Sequence, residues 1–358
     1  MSRSQWKAVC KEVLNIKMEN QQEPPLQDKE GVSVVIAHYA PAGGEVDYCA
    51  LLMQTIKSVR TQLTAFPVEV VVCDDGSAWS AGLCTSTSVT VYDRCVASMP
   101  RLLEELDVDR YLLLPDVGLY RGVQLKQSAI LGSRYCKVVI LDDDHPFLRL
   151  DSLARYYRYL DRFVYVRGRV VGPRGLPQSF LSRNAQGTNY GIRKELFQHI
   201  DGFGRYLWDN GYGEDNDMLW RVYSALKVNP EFRACFAGEI VTRDLASNRW
   251  VSRSGEGEKG SPETLQMAPH KRYLGFVQDF QRAYGIHPYH RNASRNKWGW
   301  VVFPSTTSLV SEFRFLLVFF VYYPAEVLFR LQEGWRRGGA NLLLQKIWAR
   351  LFRPKRLE

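Results

Sequence analysis

Two runs of chain constrain this fold more than anything else in the sequence. Val68-Glu69-Val70-Val71-Val72-Cys73 is cut off by Asp74-Asp75-Gly76-Ser77, and Lys137-Val138-Val139-Ile140-Leu141 runs straight into Asp142-Asp143-Asp144-His145. A β-branched run with almost no polar alternation reads as a strand buried on both faces, as in a parallel sheet covered by helices. Residues 32–37 form a third such run. Helical periodicity separates them: Leu52, Ile56, Val59 and Leu63 share one face, and 122–135 reads as a helix leading into the second acidic turn. Short strands are expected at 89–92 and 111–114. Strands alternating with helices build a mostly parallel α/β sheet. Such sheets bind ligands outside the carboxyl ends of their strands. Both acidic turns stand at such ends, so they can line one crevice.

Beyond residue 150 the alternation loosens. A helix is expected at 151–160, a strand at 163–171 and a loop at 172–177. A further helix begins near Glu214, with Leu219, Val222, Tyr223 and Leu226 on one face. Residues 252–261 are rich in glycine and charge and read as a loop. With 46% hydrophobic residues in a chain of 358, a sizeable core is available. This gives an N-terminal extension at 1–30, a catalytic domain at 31–300 with halves at 31–150 and 151–300, and a C-terminal region at 301–358. Seven cysteines without a C-x-x-C pair, and a polar N-terminus without a signal-peptide pattern, suggest a reducing, cytoplasmic compartment.

The acidic turns carry the chemistry. Three successive carboxylates at a strand end are costly without a cation, and Mg2+ or Mn2+ takes carboxylate oxygens while sharing them with substrate phosphates. If the strand continued, Asp142 and Asp144 would point to one side and Asp143 to the other. Asp74 and Asp75, with Gly76 permitting a tight turn, can accept hydrogen bonds from a base or a ribose. Gly211-Tyr212-Gly213-Glu214-Asp215-Asn216-Asp217 puts two acids in the first turn of a helix. One reading is helix capping. The other is a general base that deprotonates an attacking hydroxyl.

In order and spacing these motifs resemble family 2 glycosyltransferases. Residues 32–39, 69–77 and 141–144 look like the nucleotide-binding half. Asn189 to Phe197 with Ile200-Asp201-Gly202-Phe203 looks like the acceptor half, and 211–217 like the glutamate-aspartate motif, nearest to the galactosyltransferase and chondroitin-polymerase type. The resemblance implies a glycosyltransferase-A fold and an inverting transfer from a nucleotide-activated sugar, most simply a UDP-sugar, to a glycan or lipid-linked acceptor. It places Ala37, His38, Tyr39, Asp74, Asp75, Arg121, Asp142 and Asp143 at the nucleotide-sugar, and Asp142 and Asp144 at a Mn2+ or Mg2+ ion. Asp215 would be the base, with Glu214 beside it holding the acceptor. Many relatives carry a downstream histidine that completes the metal site. Residues 237–244 hold none here, and His145, His199 and His270 are candidates by residue type alone.

The formal net charge of +9 is concentrated near the C-terminus, at Arg330, Arg336, Arg337, Lys346, Arg350, Arg353, Lys355 and Arg356. The apolar run at 315–325 is too short to span a bilayer. With the basic, apolar-striped 342–353 it suggests peripheral attachment to an anionic, cytoplasmic membrane face. Packing on the catalytic domain or in a homo-oligomer is the alternative. No nucleic-acid module is present. Two other activities fit the pattern less well: an inactive membrane-associated nucleotide-sugar-binding adaptor, and a sugar nucleotidyltransferase. The latter should carry a Gly-rich loop after the first strand, where Ala37-His38-Tyr39-Ala40-Pro41 stands instead.

Overall fold

The structure, a computed structural model, describes residues 30–40, 47–77, 106–113, 122–172, 187–204, 214–245 and 306, without the side chains of 214–217, 220 and 227. The expected extension at 1–29, strand at 89–92, Arg121, His270, most of the 172–177 loop, the 252–261 loop and nearly all of 301–358 lie outside the described residues.

Among the described residues twelve elements follow one another: β1 (Val32–His38), α1 (Tyr48–Arg60), β2 (Val68–Asp74), β3 (Arg110–Leu113), α2 (Gly122–Leu131), β4 (Lys137–Asp142), α3 (Ser152–Leu160), β5 (Tyr165–Val171), β6 (Tyr190–Arg193), α4 (Lys194–His199), α5 (Glu214–Val228) and β7 (Ala234–Arg243). The strands form one sheet in the order β3-β2-β1-β4-β6-β5-β7. Among the described strands β6 alone is reversed; it pairs antiparallel with both β4 and β5. The expected α/β class is therefore the one observed, with a mostly parallel sheet flanked by helices.

Burial explains the apolar runs. One core cluster joins Val35, Val71, Val138 and Ile140 to α2, α4 and α5 through Leu125, Phe197 and Val222. The other joins Val34, Val70, Val72 and Val139 to α1 and α3 through Leu52, Ile56 and Leu153. The sheet is thus covered on both faces, and its central strands have no solvent side to alternate toward.

Two helix ends differ from expectation. α1 stops at Arg60, so Leu63 lies beyond the amphipathic face and is 68% exposed. α2 stops at Leu131, four residues short of Tyr135; Ser133 N already bonds back to Ile130 O in a tighter turn. The start of α1 is capped by Asp47, whose Oδ1 accepts from Ala50 N at 2.9 Å.

Asn189 locks the second half of the sheet onto the first. It sits at φ 53° immediately before β6, where its side chain accepts from Tyr156 Oη at 2.8 Å and donates to Arg169 O at 2.8 Å. A Cβ at Gly168 would stand 2.4 Å from the Asn189 side chain, so this close approach requires glycine. The sheet register then carries across: Ile140 pairs with Tyr190 of β6, and Tyr190 with Arg167 of β5.

Candidate functional site

β1 lies between β2 and β4, in parallel register with both, and Ala37 is level with Cys73 on one side and Asp142 on the other. The chain steps outward from β1 to β2 and β3, then returns to the opposite side of β1 as β4. That reversal opens a crevice at the carboxyl ends of β1 and β4. The two acidic turns flank it. His38 O accepts from Asp75 N at 3.2 Å, and Ala37 O accepts from Asp143 N at 3.0 Å. The end of β1 therefore ties both turns to one frame.

The turns are built differently. Asp74 is fully buried and its carboxylate is engaged at both oxygens: Oδ1 accepts from Ser77 N and Ser77 Oγ, each at 2.7 Å, and Oδ2 accepts from Tyr111 Oη at 2.7 Å. Ser77 Oγ accepts in turn from Ala40 N at 2.8 Å. These bonds aim Asp74 inward, where it shapes the turn. Burial, then the neighbouring Asp74 charge, holds the Tyr111 phenol well above its ordinary pKa. Asp75, the next residue, is 2% exposed, and Gly76 takes φ 79° to complete the turn.

At the second turn, β4 ends at Asp142, so Asp143 and Asp144 leave the strand and the simple alternation of sides does not apply. Asp143 is fully buried, with Oδ2 2.6 Å from His38 Nδ1, while Thr55 Oγ1 donates to its carbonyl at 2.7 Å. The His38 and Asp143 side chains, both expected at the nucleotide-sugar, are thus paired with each other. Asp142 stays partly accessible and its backbone N–H donates to Thr188 Oγ1 at 2.9 Å. Asp144 is 3% exposed and its Oδ1 lies 2.6 Å from His145 Nδ1.

Asp142, Asp144 and His145 each bring a ligand atom within 4.8 Å of the others. Two donors on one Mg2+ or Mn2+ ion, each about 2.1 Å from it, stand at most about 4.2 Å apart, so a small side-chain movement closes the set. Carboxylate oxygens with one imidazole suit a hard to borderline divalent cation. Electrostatics agree. Burial raises the Asp142 carboxyl to about 6, with Lys126 and His145 opposing and Asp144 and Asp143 adding to the rise. Burial alone would lower His145, but Asp144, through charge and hydrogen bond, and then Asp142 and Asp244 lift it to about 9. Both shifts favour proton binding at the cluster, and a divalent cation would compete for the same atoms.

Of the three histidines offered by residue type, the structure brings His145 to the acids. His199 packs edge-on against Phe232 at 5.0 Å, on the α4 side of the core. Position alone marks His145, since it follows the third aspartate directly. Glu214 and Asp215 stand in the first turn of α5, whose Leu219 and Val222 are buried as expected. Their side chains, like Arg121, are outside the described residues. Among the described residues no helix is long and apolar enough to cross a membrane.

No protein-family model and no curated protein matches this chain. Among solved structures, it is similar to a mannosyltransferase from Pyrobaculum calidifontis in complex with GDP-Man and Mn2+, at 14% identity over 97% of this chain and 96% of that one, with a TM-score of 0.43. It is also similar to residues 1–349 of S. aureus TarS in complex with UDP-GlcNAc, at 15% identity over 73% and 69%, with a TM-score of 0.42. A third is glucosyl-3-phosphoglycerate synthase from Mycobacterium tuberculosis with Mn2+, UDP and glucosyl-3-phosphoglycerate, at 14% identity over 72% and 81%, with a TM-score of 0.37. Likeness at this level does not transfer an activity or the role of any residue.

Proposed function

We propose that this protein is an inverting, metal-dependent glycosyltransferase of family 2 type, moving a sugar from a nucleoside diphosphate sugar to a hydroxyl of a glycan or lipid-linked acceptor. The observation that carries the reading is the meeting, at the switch point beside β1, of a buried acid turn with a cation-capable Asp142, Asp144 and His145 cluster. A nucleoside diphosphate needs both: acceptors for its base and ribose, and a cation for its phosphates.

In this reading Asp75 accepts from the nucleobase, uracil being the favoured partner, while Ala37 and Tyr39 line the crevice floor. Asp74, His38 and Asp143 hold that floor in shape. Asp142 faces ribose and diphosphate, and Asp142, Asp144 and His145 would hold Mn2+ or Mg2+. Bound there, the cation would stabilise negative charge developing on the leaving diphosphate. Asp215, at the start of α5, takes the proton from the acceptor hydroxyl as it attacks the anomeric carbon from the face opposite the leaving group. The positive end of the helix favours the ionised form of that base. One displacement inverts the anomeric configuration. Glu214 orients the acceptor, and Arg121 approaches the nucleotide. The basic C-terminal region would hold the enzyme at an anionic cytoplasmic membrane surface.

The test is a panel of nucleotide sugars with Mn2+ or Mg2+, following nucleoside diphosphate release. One donor is expected to be consumed slowly without acceptor. Asp215→Asn should cut turnover by about 10²–10⁴-fold, the usual share of a general base. Unchanged release in that variant would remove Asp215 from the role, and stabilisation by a nucleotide without turnover in the presence of acceptors would favour an inactive binding protein.

A further inference from the structure

Asp142, Asp144 and His145 all come from one turn, yet a second segment runs directly against that turn. Leu148 N donates to Val241 O, Arg243 N to Pro146 O and Leu245 N to Asp144 O, each at 3.0 Å, and Phe147 bridges Thr242 antiparallel. These contacts form a short antiparallel ladder between 144–148 and the end of β7. Its pairs alternate: 148 with 241, 146 with 243 and 144 with 245 are joined by hydrogen bonds, while 147 with 242 and 145 with 244 are the intervening pairs. Pro146 has no N–H to return a bond to residue 243, which is why the ladder is one-sided there. His145 therefore stands opposite Asp244 in a non-hydrogen-bonded pair. In such pairs the Cα atoms approach about 4.5 Å and the two side chains leave on the same face.

We propose that Asp244 is a further ligand of the divalent cation, supplied by the end of β7 opposite His145. The inference deepens the cation part of the transferase reading and rests on it only for the presence of a cation. Asp244 is not one of the three residues whose ligand atoms already lie within 4.8 Å of one another, so binding the cation requires its side chain to move toward them. Its addition makes a set of three carboxylates and one imidazole, mostly hard oxygen, from two chain segments 100 residues apart by numbering (244 less 144). The ladder also gives the site its rigidity: the backbone N–H of the residue after Asp244 is bonded to the carbonyl of Asp144. A cation held from both sides pins the end of β7 to the end of β4.

The test measures Mn2+ binding to the full chain without nucleotide, by calorimetry and by the electron paramagnetic resonance of free Mn2+. Asp244→Asn is expected to weaken Mn2+ on the order of tenfold or more, with the melting temperature in EDTA unchanged. Asp244→His, which exchanges oxygen for nitrogen, should move preference from Mn2+ toward Zn2+; this variant decides the matter if the Asn variant does not fold. Wild-type Mn2+ affinity in Asp244→Asn, or an unaltered Mn2+ to Zn2+ ratio in Asp244→His, would overturn the assignment and leave Asp244 a neighbour of His145 only. The parent reading fails separately. If Asp244→Asn loses Mn2+ but no nucleotide sugar ever reacts, the ligand stands and the transferase falls. Metal-dependent turnover with Asp244→Asn still binding Mn2+ normally does the reverse.

Discussion

The two acidic turns, Asp74-Asp75 after β2 and Asp142-Asp143-Asp144 after β4, look alike as sequence and behave oppositely as structure. In the first, Asp74 is saturated. Three donors, two from Ser77 and one from Tyr111, satisfy the Asp74 carboxylate. The second buries one acid against His38 and brings Asp142 and Asp144 together with His145. A carboxylate with enough donors can stay ionised inside a protein, whereas close carboxylates with too few must hold protons or a cation. The contrast separates an Asp74 side chain that shapes its turn from a cluster able to hold a cation.

Asp144→Ala breaks the comparison most severely. It should abolish Mn2+ binding and lower metal-dependent turnover by about a thousandfold, comparable to removing one preorganised electrostatic group from an active site. Asp74→Asn should leave Mn2+ affinity intact. Calorimetry on both variants checks the pair, and loss of Mn2+ in Asp74→Asn would mean that the turns act as one.

Next in size is the buried pair beneath the crevice. His38→Ala strips Asp143 of that partner and should cost about 1–3 kcal/mol in denaturant unfolding, the usual loss when a buried polar group loses a hydrogen-bond partner. No measurable loss would show that water replaces the ring.

pH sharpens the contrast further. Without cation, the raised pKa of Asp142 means stability lost as pH rises from 3.8 to about 6. The raised pKa of His145 means stability fully present below 6.5 and lost as pH rises to about 9. Thermal stability in EDTA should therefore fall on raising the pH from 6.5 to 9. With saturating Mn2+ the trend should reverse, because binding must displace these protons. The same slope in both conditions would mean that the cluster does not bind the ion. The smallest effect belongs to Tyr111→Phe. It removes one donor from Asp74 and should cost about 1 kcal/mol, with Mn2+ binding untouched.

Much of this fold was legible because burial on both faces writes β1, β2 and β4 as unbroken apolar runs. The acids that end β2 and β4 mark where the strands stop. β6 and α4 were not legible as elements: four residues, Tyr190–Arg193, pass directly into a helix at Lys194 with no spacer to mark the change. Their reversed direction depends on Asn189 and Gly168 meeting across strands, a contact no local pattern reports. Leu63 fitted the helical period but lies past the end of α1. At the site, the acids could be named but not ranked. Whether a carboxylate is satisfied depends on Tyr111, Ser77 and His38, which come from other segments of the chain. His145 was set apart from His199 only by its place next to Asp144, and its pairing with Asp244 follows from a ladder that Pro146 interrupts.

The most direct test of the central claim is the thermal shift given by UDP with Mn2+ and with EDTA, on the wild-type chain and on Asp144→Ala. A single site built from both turns predicts strong stabilisation by UDP with Mn2+, little in EDTA, and none that depends on Mn2+ in Asp144→Ala. Equal stabilisation with and without the cation, or none by UDP or any other nucleoside diphosphate, would contradict it.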